Sequence, residues 1–184
     1  QPEISDNWEA GFKGKFLDGR LQLNMTAFRT DYENQQITVS RLINGQPTAD
    51  LINAQDAEIE GIEMDMQWSP MQDLYITASA GVIQGDYKEF STVDEEFDPI
   101  TLESTVFIND FSETEFIGGA PYTYSLNVAK VFNMDNGSAI TASSGWSYRG
   151  RTYNTLRRFK SSRQGKYGIL DARIVWDMAN GKTT

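Results

Sequence analysis

Two clusters of charge hold the side chains with the widest chemical scope in this 184-residue chain. Between Arg149 and Lys166 stand Arg149, Arg151, Arg157, Arg158, Lys160, Arg163 and Lys166, with Tyr153 and Phe159 among them. Guanidinium groups pair their N–H donors with phosphates and carboxylates. Arg151, Tyr153, Arg157, Arg158, Phe159, Lys160 and Arg163 are therefore candidate ligand-binding residues, and the ligand would be an anion. A basic loop lying beside a phosphate-rich membrane surface would have the same composition. Residues 94 to 115 are the opposite, with eight carboxylates and no base: Asp94, Glu95, Glu96, Asp98, Glu103, Asp110, Glu113 and Glu115. Hard cations take oxygen ligands, which makes Asp94, Glu95, Glu96 and Asp98 weak metal candidates. Their spacing fits no EF-hand loop, and a solvated acidic loop accounts for them better, so no metal is expected.

The chain has no cysteine and no histidine. That removes disulfides, thiolate metal sites, Ser-His-Asp and Cys-His catalysis, and the commonest general base. Glu63 and Asp65 share one strand face, as a glycosidase pair must lie close together. With Lys13, Lys15, Asp171 and Arg173 they read better as charges lining a wet or filled interior. Neither an enzymatic activity nor a cofactor is expected. The net charge of -10 argues against nucleic acid as a partner.

These residues are positioned by strands. Leu74, Ile76, Ala78, Ala80 and Val82 alternate with Tyr75, Thr77, Ser79 and Gly81, and period-two alternation means a strand with one apolar face. Seven such segments are predicted: Asn7 to Leu17, Arg20 to Arg41, Asp50 to Trp68, Leu74 to Phe90, Tyr122 to Phe132, Ser138 to Arg149 and Tyr167 to Met178. Asp18-Gly19, Ser69 to Asp73, Asp135 to Gly137 and Ala179 to Lys182 are short reversals. The connections near 46, 105 and 158 are longer, and residues 91 to 119 show no sustained period. All five prolines fall at predicted turns, loops or strand starts.

Short and long connections alternate strictly. In an up-and-down barrel this puts short turns on one side and long loops on the other, as outer-membrane barrels do. Phe16, Trp68, Phe132 and Trp176 stand by the short turns, and Trp8, Tyr122, Tyr124, Trp146 and Tyr148 toward the long loops. Two aromatic belts of this kind suit the two interfaces of a bilayer. Mean hydropathy is low, at -0.48, and no run is long and apolar enough for a transmembrane helix. Low hydropathy is compatible with strands that are apolar on one face only. The second and third segments are longer than the roughly 9–11 residues that cross a bilayer, so their outer halves should project beyond it. Lys130, alone on its apolar face, lies close enough to a turn to snorkel. A soluble β-sandwich, perhaps binding carbohydrate, would bury the same apolar positions.

Several segments together resemble the β-barrel of TonB-dependent outer-membrane receptors. They are Pro2-Glu3-Ile4-Ser5-Asp6-Asn7-Trp8-Glu9-Ala10-Gly11-Phe12-Lys13, then Leu17 to Asn24, and Ala27 to Tyr32. Asn53 to Glu63 fits with Gln55 in place of a glycine, as do Gly119-Ala120-Pro121, Trp146 to Arg149, and Leu170 to Arg173. The resemblance implies an all-β fold, part of an antiparallel up-and-down transmembrane barrel: about seven late strands of 22, with residues 1–184 a C-terminal segment. The plug domain and the final strand would lie outside the sequence. It implies TonB-energised uptake of a scarce, bulky nutrient, such as a ferric siderophore, vitamin B12 or an oligosaccharide. Implied partners are outer-membrane lipid and lipopolysaccharide, the small-molecule nutrient, and the TonB energy-transducing complex through the N-terminal region. A passive porin-like channel is the rival within the same architecture.

Overall fold

The structure, a computed structural model, describes residues 2–43, 46–53, 56–98, 100, 101, 103–156, 158 and 160–179; within strands, the side chains of 39–43, 46–48, 50, 94–97 and 104 are not described. The strands are β1 (Ile4–Phe16), β2 (Leu21–Glu33), β3 (Gln36–Ile43), β4 (Gln46–Asn53), β5 (Asp56–Met71), β6 (Leu74–Glu89), β7 (Ser91–Phe97), β8 (Ser104–Asp110), β9 (Tyr122–Asn133), β10 (Ala139–Arg149), β11 (Thr152–Tyr153), β12 (Arg163–Gln164) and β13 (Tyr167–Asp177). Seven of them form one sheet in the order β1-β2-β5-β6-β9-β10-β13. They correspond to the seven long segments expected from the alternation, though the third, expected from Asp50, enters the sheet only at Asp56, and Asp50 to Asn53 belong to β4. The remaining six pair as hairpins, β3-β4, β7-β8 and β11-β12, which occupy the three longer connections.

Three further expectations need correction. The second segment does not run unbroken from Arg20 to Arg41. β2 ends at Glu33, where Asn34 takes a left-handed φ of 54°, and the chain restarts as β3. The asparagine side chain tolerates that conformation better than most residues, which is why the ladder can end there. The turn expected from Ser69 to Asp73 is shorter: β5 continues through Pro70 to Met71, and Asp73, at φ 61°, makes the reversal. Third, the stretch 91 to 119 is not irregular. It contains the β7-β8 hairpin, with Val93 opposite Ile108 and Glu95 opposite Val106. Strands of seven residues with interspersed carboxylates are too short for alternation to declare itself.

The chain divides into two compact units, to both of which β1, β2, β5 and β6 contribute. One comprises Glu9–Ala27, Gly61–Ile83 and Gly118–Thr184. Its registers align like with like. Leu74, Ile76, Ala78, Ala80 and Val82 face Lys130, Val128, Leu126, Tyr124 and Tyr122. The same face continues through Ile140, Ala142, Trp146 and Tyr148 to Trp176, Ile174, Leu170 and Gly168. This apolar face is open even within the sheet: Leu126 is 42 % and Trp146 40 % exposed. A soluble sandwich would bury these side chains, whereas a face turned to lipid leaves them outermost.

The members of the two predicted aromatic belts that stand on β9, β10 and β13 lie on this face. Phe132, Ile140 and Trp176 are in register at the end of the short turns. At the other end Tyr148 stacks on Tyr124 at 4.8 Å and on Tyr122 at 6.0 Å, and Trp146 packs on Tyr124 at 5.0 Å. The opposite face carries Thr77, Ser79, Ser125, Asn127, Ser143, Ser147, Asp171 and Arg173, and the Ser79 and Ser125 hydroxyls hydrogen-bond at 2.8 Å.

The other unit comprises Gln1–Trp8, Phe28–Glu60 and Gln84–Ile117. It has a small aromatic core that the pattern of residues 91 to 119 did not announce. Tyr87, 1 % exposed, stacks on Phe116 at 4.6 Å and touches Phe90, which meets Phe111. Residues 111 to 117 turn back beside β6, bridged to it at Asp86 and Glu115. Glu113 N donates to Tyr87 O, Tyr87 N to Thr114 O, and Phe116 N to Gly85 O. Across β2, β5 and β6, one Glu58 oxygen accepts from Arg29 at 3.0 Å and from Lys88 at 3.1 Å.

Candidate functional site

The basic loop between β10 and β13 is itself folded. β11 and β12 pair with Thr152 opposite Gln164 and Tyr153 opposite Arg163. A single 3-10 turn, Lys160–Ser162, leads into β12. The tip is tied by its own polar groups: Thr155 Oγ donates to Ser162 Oγ at 2.8 Å, Asn154 N to Ser162 O, and Arg158 N to Thr155 O. Its base is tied to the start of β9 and the loop residues just before it. Gly118 N donates to Tyr153 O at 2.8 Å, Gly150 N to Tyr122 O at 2.9 Å, and the Arg149 guanidinium to Gly118 O at 3.3 Å.

This framework brings part of the candidate set together. The Arg158 guanidinium lies 5.1 Å from the centre of the Tyr153 ring, within range of a cation–π contact. Arg163 is the register partner of Tyr153. Arg151, Lys160 and Arg163 are exposed and form no ion pair among the described residues. Arg157 and Phe159 lie outside the described residues. The resulting surface offers an aromatic ring, a guanidinium held over it, and further basic side chains beside them. Such a surface can bind a flat or multiply charged anion.

Sequence reading missed the anchoring of this loop. Gly118-Gly119 was its only signal, and Gly118 adopts φ 79°, a conformation that glycine takes without strain. Arg149, one of the basic residues in sequence, directs its guanidinium to the Gly118 carbonyl.

The acidic candidates are arranged differently. Asp98 Oδ1 accepts from Ile100 N at 2.8 Å and Thr101 N at 3.4 Å, and these bonds hold its carboxyl below the usual carboxylate range. Asp110 is lowered in the same way by Ser112, through its hydroxyl and its N–H, the latter at 2.9 Å. Both carboxylates thus cap their own turns. The side chains of Asp94, Glu95 and Glu96 lie outside the described residues. Among the described residues no three carboxylates converge as metal ligands would.

Comparison with known proteins agrees with this architecture. The family model described as TonB dependent receptor-like, beta-barrel, matches residues 1–183. The ferric yersiniabactin uptake receptor of Yersinia pestis superposes with a TM-score of 0.69 at 19% identity, over 97% of this chain and 23% of that one. A siderophore receptor of Acinetobacter baumannii gives 0.68 at 16% identity, over 94% and 22%. The pyoverdine outer-membrane receptor of Pseudomonas aeruginosa gives 0.56 at 18% identity, over 96% and 23%. At these identities the superpositions establish the fold. The chain spans less than a quarter of the length of each of these proteins.

Proposed function

The chain belongs to the TonB-dependent receptor β-barrel family of the Gram-negative outer membrane, and from that premise we propose that it is part of a receptor for a ferric siderophore. In this reading the segment is a C-terminal arc of a 22-stranded barrel, contributing about seven late strands. A plug domain and a final strand would complete the full-length protein. The β10-β13 loop helps capture the ligand, and the TonB complex supplies the energy for its passage through the N-terminal region. The observation that carries the reading is the joining of Tyr153, Arg158 and Arg163 on one anchored hairpin. Ferric chelates of catecholate, hydroxamate or carboxylate type are often anionic and partly flat, which suits a guanidinium-and-ring surface. The siderophore receptors with similar folds support this class of ligand over vitamin B12 or an oligosaccharide.

The test uses the full-length receptor and a panel of ferric hydroxamate, catecholate and carboxylate chelates. Replacing Arg157, Arg158 and Arg163 together by Gln is expected to weaken binding of the cognate chelate by roughly tenfold or more. Unchanged affinity across the panel removes the loop from the ligand site. Uptake that persists without TonB would favour a passive channel.

A further inference from the structure

Where β6 (Leu74 to Val82), β9, β10 and β13 are in register, their apolar face carries one charged side chain among the described residues, Lys130. In register it stands with Leu74, Ala142 and Ile174. That row is one step deeper into the apolar face than the belt of Phe132, Ile140 and Trp176. The ammonium does not stay at that depth. It turns back toward the short-turn end and donates to Gln72 O at 2.9 Å. Its other two N–H donors have no partner among the described residues. It also forms no ion pair there: the nearby Asp73 carboxylate instead accepts from Asn133 Nδ2 at 2.9 Å.

A cation on a lipid-facing surface is costly at the bilayer midplane and nearly neutral at the interface. Lys130 is thus delivered to the level where tryptophan and phenylalanine mark the headgroups, with donors to spare. We infer that Lys130, held by Gln72 O, forms a seat for the phosphate of a phospholipid headgroup in the leaflet on the short-turn side. The ammonium supplies the charge, Gln72 O fixes its direction, and Phe132 and Trp176 pack against the adjoining acyl and glycerol region. This seat is independent of the identity of the transported nutrient.

The test is native mass spectrometry of the full-length receptor released from nanodiscs containing phosphatidylethanolamine and phosphatidylglycerol. Lys130→Met is expected to lower the phosphatidylglycerol retained per receptor by roughly fivefold, the scale of one basic residue at an anionic lipid surface. Lys130→Arg should retain it. Heat-modifiable gel migration establishes that each variant is folded. Equal retention by Lys130→Met and the native receptor overturns the seat. So does loss of the lipid on adding millimolar inorganic phosphate, which would mark a site for free anions.

Discussion

Gly145 lies in register between Asn127 and Asp171 on the polar face, and those two side chains close over it. A Cβ at this position would come within 2.6 Å of Asn127 Oδ1 and 2.7 Å of Asp171 Oδ2. Both groups would have to swing away into the shallow recess of about 130 Å3 that they line with Tyr75, Thr77 and Ser143. Gly145→Val is therefore expected to cost roughly 1–3 kcal/mol, the usual penalty for overpacking. Urea unfolding of the full receptor in detergent measures it, and Asn127→Ala in the same chain should recover part of the loss. At Tyr153 the aromatic face, not the hydroxyl, meets Arg158. Tyr153→Phe should keep ligand affinity, whereas Tyr153→Leu should lose about 0.5–1 kcal/mol of it, the scale of an exposed cation–π contact. Titration calorimetry with the cognate chelate distinguishes them. Little of this was legible in the sequence. A glycine inside a strand marks a close approach, but which neighbours approach depends on a register spanning three strands.

The segment that follows β8 shows what the one-dimensional pattern could not reveal at the level of an element. Phe111 and Phe116 stand in an acidic stretch, and only the return of the chain along β6 brings them onto Tyr87 and Phe90. Gly85 makes room for that return: a Cβ there would meet Phe116 at 3.0 Å, Ile59 at 3.1 Å and the Glu58 carbonyl at 3.2 Å. Gly85→Val should release residues 111 to 117, seen as faster limited proteolysis within them while the seven-stranded sheet stays intact. The Asp98 turn has its own signature. Its carboxylate is lowered by the N–H groups of Ile100 and Thr101, so the turn gains stability from ionisation. That gain is complete above the ordinary aspartate value of about 4 and is lost as pH falls through the lowered folded-state value. Amide exchange at Ile100 and Thr101, corrected for intrinsic rates, should stay slow at about pH 5 and quicken on acidification. In Asp98→Asn the pH dependence should disappear.

The two faces of the seven-stranded sheet differ in what they tolerate across the whole molecule. Leu126 lies mid-strand on the apolar face, in register with Ala78 and Trp146. Leu126→Arg should cost about 2–4 kcal/mol where it meets the bilayer interior. Ser147→Lys, exposed on the polar face, should be nearly silent. Folding yield into vesicles reads both, and equal tolerance would contradict the assignment of lipid to the apolar side.

The sequence by itself determined the seven strands, the direction of their faces, the two aromatic belts and the rhythm of short and long connections. These follow from period two and from local turn chemistry, which act between neighbours along the chain. Only the tertiary structure decided that the apolar face stays open, that the basic loop is a hairpin tied to Gly118, and that an acidic stretch supplies two rings to a small core. It also decided that Lys130 turns to Gln72. Each of these depends on residues tens of positions apart meeting across a ladder, and hydropathy along one strand carries no record of what lies on the next.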